Sequence, residues 1–529
     1  MRQGQGTAMR IATLLKAALV ATALAQPAVA QPAKVLRVVP HADLTVLDPV
    51  WQSVVISRLH GAMIYEELFA WDSKLQPKPQ MVDTWSVSPD KLTWSFTLRP
   101  GLRFHDGSPV TTTDVVASLK RWMMRDVIGA KLATYGVTLT PTDANSFTLA
   151  LQKPFPMMLF ALGSAVVQIP VIMRARDIED PAARVNTAIG SGPFRYVAAE
   201  RLAGALTVYE RNPDYVPRAE PADGMAGGRV VKVDRIEWKV IPDASTAAAA
   251  LQAGEVDIWE QPSLDLLPKL ATNPNIRLQR LTELSNQGAL RANALHPPFN
   301  DIRARQALNY IVDQGDVMAA AFGDEKYWRR CNATYVCGGP YGTEAGAEGF
   351  HQDFAKARQL LADSGYKGEK LVFVATKEIG TLAQMAEVVS DAMKRAGLNV
   401  DVVWGDWGTT VSRLSQTKPP AEGGWNFFLT TASGPTMHHP LTNLYGTTTC
   451  SGAGAVGRPC DELAEKLRQD FLDADDASRP AALERLHRRF AEVVPYRVLG
   501  QYDQPIAMRS NVSGVLESPL LVYWNIEKK

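Results

Sequence analysis

Cysteine is scarce: four residues in a chain of 529, all in the second half. None follows the N-terminal leader, so no lipid anchor on an N-terminal cysteine is expected. Neither charge sign is in excess, with 56 Lys and Arg against 55 Asp and Glu. That balance lacks the basic footprint of a nucleic-acid binder, and no nucleic-acid partner is expected. Long apolar runs are missing too. The best one, Ile11–Ala25, is interrupted by Lys16 and falls short of the roughly 20 residues a membrane-spanning helix needs. Two catalytic signatures are also lacking. There is no H-E-x-x-H, and Gly190-Ser191-Gly192 is not the G-x-S-x-G of a nucleophile elbow.

What is present starts with Arg2 and Arg10, the short apolar run, and Ala28-Val29-Ala30 before Gln31. A positive start, an apolar stretch and a small-x-small site, in that order, describe a secretory signal peptide, read here as 1–30. Ala23-Leu24-Ala25 offers a second cleavage site, and Met9 a second start. Without 1–30, 53 basic residues face 55 acidic ones, a net charge of −2. Export implies an oxidising compartment. Cys331 with Cys337, and Cys450 with Cys460, are then expected as two local disulfides. A zinc site is the alternative, but no C-x-x-C occurs and the pairs are far apart. No cofactor and no metal are expected. Hydrophobic residues at 46% and charged ones at 21% are globular values, and the length allows two or three domains with real cores.

Strand and helix patterns alternate along the chain. Val35–Pro40 reads as a first strand. Ile56–Phe69 carries apolar residues at helical spacing. In Leu92–Leu98, Leu92, Trp94, Phe96 and Leu98 alternate with Thr93, Ser95 and Thr97, the pattern of a half-buried strand. Val115–Met124 reads as a helix with Thr113 or Asp114 as its cap, and Ile302–Val312 as one capped by Asp301. Val230–Ile241 alternates as a strand. Ser245–Ala253 is an alanine-rich helix closed by Gly254. Such alternation argues for an α/β architecture.

Several stretches carry a resemblance. Leu47-Asp48-Pro49 is followed by Tyr65-Glu66-Glu67-Leu68. The segment Trp85 to Asp90 leads through Phe96-Thr97-Leu98-Arg99-Pro100-Gly101 to Phe104-His105-Asp106-Gly107-Ser108-Pro109-Val110 and Asp114 to Arg121. Gly190-Ser191-Gly192-Pro193-Phe194, Arg211-Asn212-Pro213-Asp214-Tyr215, Ala253-Gly254-Glu255-Val256-Asp257, Pro297-Pro298-Phe299-Asn300-Asp301 and Leu360 to Tyr366 come next, in order. Over nearly the whole mature chain the sequence resembles the extracellular solute-binding proteins of ABC importers, in the oligopeptide, dipeptide and nickel group. The resemblance implies a two-lobed α/β periplasmic-binding-protein fold of class II with a hinge between the lobes. The first lobe would be 34–282 plus 503–529, with an inserted subdomain at about 66–184. The second would be 287–500. Hinges are expected near Glu283–Asn286 and Leu499–Tyr502. The implied role is to capture a small solute and deliver it to inner-membrane permease subunits, as a periplasmic monomer and not an enzyme. The rivals are a sensing or chaperone-like binding protein of the same fold and a secreted hydrolase.

The same resemblance suggests where a ligand would sit. Trp407 corresponds to a cavity tryptophan. The loop Thr430–His439, with Thr431, Ser433, Gly434 and His438, corresponds to the loop where peptide binders carry an aspartate for the ligand's amino terminus. No acid occurs in it here, and a buried amine needs a countercharge, so an ordinary peptide is not the expected ligand unless Asp406 or Asp126 substitutes. Adjacent His438 and His439 are read as a hydrogen-bonded loop pair, with metal contact the alternative. Trp51, Gln52 and Ser53 would face the cleft, where Trp51 could stack on a ligand. Arg121 and Arg125, one helical turn apart, could jointly hold a carboxylate or phosphate. Arg291 opens the second lobe as a cleft residue or a structural ion-pair partner.

Overall fold

The computed structural model describes Met1, 33–450, 457 and 459–529. The expected signal peptide lies outside the described residues. The chain divides into Met1–Lys34 and one large compact unit, Val35–Lys529.

Three sheets organise the large unit. The first is seven-stranded, in the order Ile276–Gln279, Ile506–Arg509, Ile258–Trp259, Val35–Val39, Arg235–Lys239, Leu206–Arg211, Phe194–Tyr196. Val35–Val39 pairs in parallel with both of its neighbours. A strand with parallel partners on both sides is covered on both faces and is apolar along its length, as Val-Leu-Arg-Val-Val nearly is. The second sheet is six-stranded, in the order Trp328–Arg329, Arg497–Tyr502, Asn286–Ala292, Phe427–Ala432, Leu371–Thr376, Val400–Gly405. A four-stranded antiparallel sheet, in the order Val82–Val87, Thr93–Leu98, Ser146–Ala150, Thr138–Pro141, falls inside 66–184.

The chain leaves the first sheet after Gln279 and enters the second at Asn286. It leaves the second after Tyr502 and returns at Ile506. Leu499–Tyr502 is therefore strand and not a connection, and the return crossing is 503–505. Strand pairing continues through this stretch because Gly500 adopts φ 116° opposite a register shift at Gly288/Ala289. A bulge bends a strand without ending it. A Cβ at Gly500 would lie 2.5 Å from Met318 Cγ.

Local signals hold well inside the elements and less well at their ends. The helix Thr112–Arg125 is capped by Thr111, two or three residues earlier than expected, with Asp114 closing the capping box at N3. Asp301 caps Ile302–Ile311 through the Arg303 amide. Val230–Ile241 shortens to Arg235–Lys239. Ile56–Phe69 is instead the helix Val55–Ile64, because Tyr65 turns to extended backbone and Phe69–Trp71 pairs as a strand. Both expected disulfides are present, Cys331–Cys337 and Cys450–Cys460, so the zinc alternative loses its ligands.

Candidate functional site

A cavity of about 110 Å³ lies where the two crossings meet the two sheets. Val55 and Arg58 reach it from the helix Val55–Ile64. Glu260 and Gln261 come from the end of Ile258–Trp259, Ser285 from the first crossing and Asn286 from the strand that follows it. Asp503 and Gln504 come from the second, and Ser433 and Pro435 from the 430–439 loop. Segments that stand far apart in sequence, from Val55 to Gln504, are brought together here by the path of the two sheets.

The charges are arranged in pairs. Glu260 Oε2 accepts from the His41 amide at 3.0 Å and contacts His41 Nδ1 at 2.9 Å. Burial opposes the charged form of His41, but the Glu260 carboxylate carries the imidazole above its ordinary value. Ser285 Oγ donates to Asp503 at 2.6 Å and accepts from Arg329 at 2.9 Å. Arg280 Nε lies 3.4 Å from the other Asp503 oxygen. Arg58 is 5% exposed and donates to the Ala165 carbonyl at 2.9 Å, while its Nε has no hydrogen-bond partner. Burial brings its guanidinium down to about 10.

The 430–439 loop closes one wall. Ser433 precedes the short helix Gly434–Met437 without a side-chain cap bond, its Oγ 2.8 Å from Thr436 Oγ1. Gly434 sits against the first crossing, where a Cβ would lie 2.3 Å from the Leu284 carbonyl oxygen and 2.4 Å from that of Ser285. Of the expected ligand residues Ser433 lines the cavity, and Gly434 backs it.

The other expected residues have other posts. Arg121 is 1% exposed and is held by both oxygens of Asp48, at 2.6 and 3.1 Å. Arg125 lies 3.8 Å from the Trp51 ring centre and donates to the Ala182 carbonyl. The two arginines thus do not converge on a shared anion, because each guanidinium is already occupied, and Trp51 already carries a cation. Gln52 donates to Ser57 Oγ, and Ser53 is exposed. Thr431 belongs to the strand Phe427–Ala432, where its side chain reaches the Tyr502 hydroxyl. Trp407 starts a helix beside Phe428, 6.1 Å between ring centres, and does not line the cavity. Arg291 is buried under the Tyr445 ring at 4.9 Å, with Nε and one terminal nitrogen unbonded.

His438 and His439 are buried as a pair. His438 Nδ1 contacts the Pro435 carbonyl at 2.6 Å, and His439 stacks on Phe160 at 4.3 Å. Burial pulls His438 down to about 4 and His439 well below its ordinary range, so both are neutral. His438 packs edge-on to Trp71 and does not line the cavity. Asp126 and Asp406 cap helices with their carboxylates, and neither lines the cavity.

Residues 76–455 match the family model described as bacterial extracellular solute-binding proteins, family 5. The chain belongs to that family. The family 5 assignment is reinforced by a "Probable peptide ABC transporter periplasmic-binding protein y4tO" of Sinorhizobium fredii, 37% identical over 494 residues and covering 92% of each chain. The oligopeptide-binding protein AppA of Bacillus subtilis is 26% identical over 502 residues, 88% of this chain and 86% of that one. Among solved structures, a dipeptide binding protein from Pseudoalteromonas sp. SM9913 in complex with Met-Leu superposes with a TM-score of 0.78 at 18% identity, covering 94% of this chain and all of that one. AgaA of A. tumefaciens R10, in complex with agropinic acid, gives 0.77 at 21%, covering 94% and 99%. The two-lobed periplasmic-binding-protein fold and the role of solute-binding component of an ABC importer are thereby borne out. Family 5 is a family of solute-binding proteins. Among the described residues no helix is long and apolar enough to cross a membrane.

Sequence reasoning missed Arg58, Glu260, Gln261, Asp503 and Gln504. One signal was available. Arg58 and His60 interrupt a helix that is otherwise small and apolar, and every residue from Ile56 to Ile64 is buried. A charge inside such a helix needs a reason to be there.

Proposed function

We propose that this family 5 protein captures its solute in the cavity between the two crossings, and that 280–285 and 503–505 are the hinge about which the two sheet-bearing lobes close. The supporting observation is the composition of the cavity wall. Helix Val55–Ile64 and Glu260 come with the first sheet, Ser433 and Pro435 with the second, and Ser285 and Asp503 from the connections themselves. A ligand held by both lobes has more contacts in the closed state and shifts the population toward it. Removal of the leader would release the mature chain into the periplasm, where the closed form meets the permease subunits as a monomer.

The neutral 430–439 loop favours a ligand other than an ordinary peptide bound by its amine in that loop. The cavity supplies acceptors at the crossings instead, and at about 110 Å³ it is smaller than the roughly 300–1,000 Å³ of most ligand pockets, a size for one end of a larger solute.

Native mass spectrometry of protein isolated from exporting cells tests the placement. One small molecule per chain is expected, displaced when Ser433→Trp fills the cavity. Retention of the molecule by a folded Ser433→Trp variant would move the site elsewhere.

A further inference from the structure

Four charged side chains line the cavity: Arg58, Glu260, Arg280 and Asp503. Three of them are matched within the protein. Glu260 has His41, while Asp503 has Ser285 and Arg280. Arg58 is the one left over. It forms no ion pair with a described residue, and the Ala165 carbonyl takes one of its donors while Nε has none. Elsewhere in the same lobe, buried arginines are neutralised. Arg121 holds Asp48 and Arg229 holds Glu67. Arg291, Arg305 and Arg497 are also buried without an ion pair to a described residue, but none of the three lines this cavity. A buried cation with neither a counter-ion nor a full set of acceptors is costly. One that also faces a cavity is positioned to receive an anion.

A second feature adds to the positive potential. Arg58 is in the first turn and a half of a ten-residue helix whose start, Val55, also lines the cavity. The cap position, Val54, has no side-chain acceptor, and the first turn has no acidic residue. The free amides at such a start carry partial positive charge and favour an oxyanion. Gln261 stands at the same space with a neutral side-chain amide, while the hydroxyl protons of Ser285 and Ser433 are already given to Asp503 and Thr436.

We propose that Arg58, with the uncapped helix start beside it, anchors an oxyanion of the captured solute, a carboxylate or a phosphate. The ligand class is then an organic anion or zwitterion and not a neutral sugar or a simple cation. This inference rests on the proposed capture site, whose failure the experiment separates from its own.

The test compares charged and neutralised partners by thermal shift and calorimetry, using the full mature protein stripped of ligand by unfolding and refolding. The probes are Met-Leu and its C-terminal amide, mannopinic acid and mannitol, and glycerol 3-phosphate and glycerol. At least one probe bearing the carboxylate or phosphate is expected to raise the melting temperature, while its partner without that group does not. Arg58→Gln is expected to weaken that probe tenfold or more, and Arg58→Lys to recover part of the loss. Which pair responds distinguishes a carboxylate from a phosphate. Probes without the carboxylate or phosphate binding as tightly as their partners that carry it, or Arg58→Gln leaving affinity intact, would overturn the anion anchor and leave solute capture standing. Silence from all six probes, together with no small molecule released on denaturing protein from exporting cells, would overturn both. The comparison of acid with amide needs no variant, so it decides the matter even where Arg58→Gln does not fold.

Discussion

The hydroxyl of Ser285 donates to the carboxylate of Asp503 at 2.6 Å, joining the two crossings between the sheets through one hydrogen bond. Arg329 reaches the same hydroxyl from the second sheet, and it also donates to the Cys337 carbonyl at 3.0 Å. The crossings are thus tied to each other and to the Cys331–Cys337 loop. Ser285→Ala and Asp503→Asn should each cost about 1–2 kcal/mol. Combined, they should cost less than the sum, because they remove one shared bond. Urea unfolding of the four proteins measures the coupling, and strict additivity would mean that the bond carries no energy.

Removing Arg121 should act on the fold and not on the ligand. Its partner Asp48 is fully buried, and removing one side of a buried ion pair costs about 3–5 kcal/mol because the other charge is left uncompensated. Arg121→Ala should lower the melting temperature by several degrees and change the affinity of any bound solute less than twofold. A large loss of affinity at unchanged stability would return Arg121 to the ligand.

Acid should destabilise the protein well above the carboxylate range. Burial pulls His60 down to about 3, and His105, His438 and His487 to about 4, from an ordinary 6.5. Below pH 6.5 the unfolded chain takes up protons that the folded one refuses. Stability is therefore intact above 6.5 and falls as the pH drops toward 4, by about 1.4 kcal/mol per pH unit for each such histidine. His41 works in the opposite sense. Its folded value is raised, so its pairing with Glu260 contributes below 6.5 and fades as the pH rises through that folded value. Denaturant midpoints at pH 7.5, 6, 5 and 4.5 should fall steeply. A flat profile to pH 4.5 would mean that the histidines are protonated in place.

Reduction should weaken the protein without unfolding it. Each disulfide closes a loop of about ten residues or fewer, with separations of 6 and 10, which corresponds to roughly 2–3 kcal/mol. Intact mass should show no alkylation before reduction and four alkylated cysteines after it. The Cys331→Ala/Cys337→Ala pair should lower the melting point, and any change in hinge behaviour should come through the Arg329 contact with Cys337.

Local grammar carried the fold. Alternation in Thr93–Leu98, the capping box of Thr111 and Asp114, and the left-handed Gly254 that stops its helix depend only on neighbours in sequence. The site was less legible. Ser433 was reached through a loop that resembles the family's. Arg121, by contrast, gave no local hint that Asp48, 73 positions away, would occupy it. The same holds for the meeting of Arg58, Glu260 and Asp503, which depends on the path of the sheets. Helical spacing put Arg121 and Arg125 on adjacent turns but said nothing of the partners already waiting for them.

Four cysteines can pair in three ways, and the pairing here joins each cysteine to the next one along the chain. A polypeptide that crosses a membrane N-terminus first presents Cys331 and Cys337 well before Cys450. An oxidase acting on thiols in their order of arrival would make this pairing directly, with no reshuffling step.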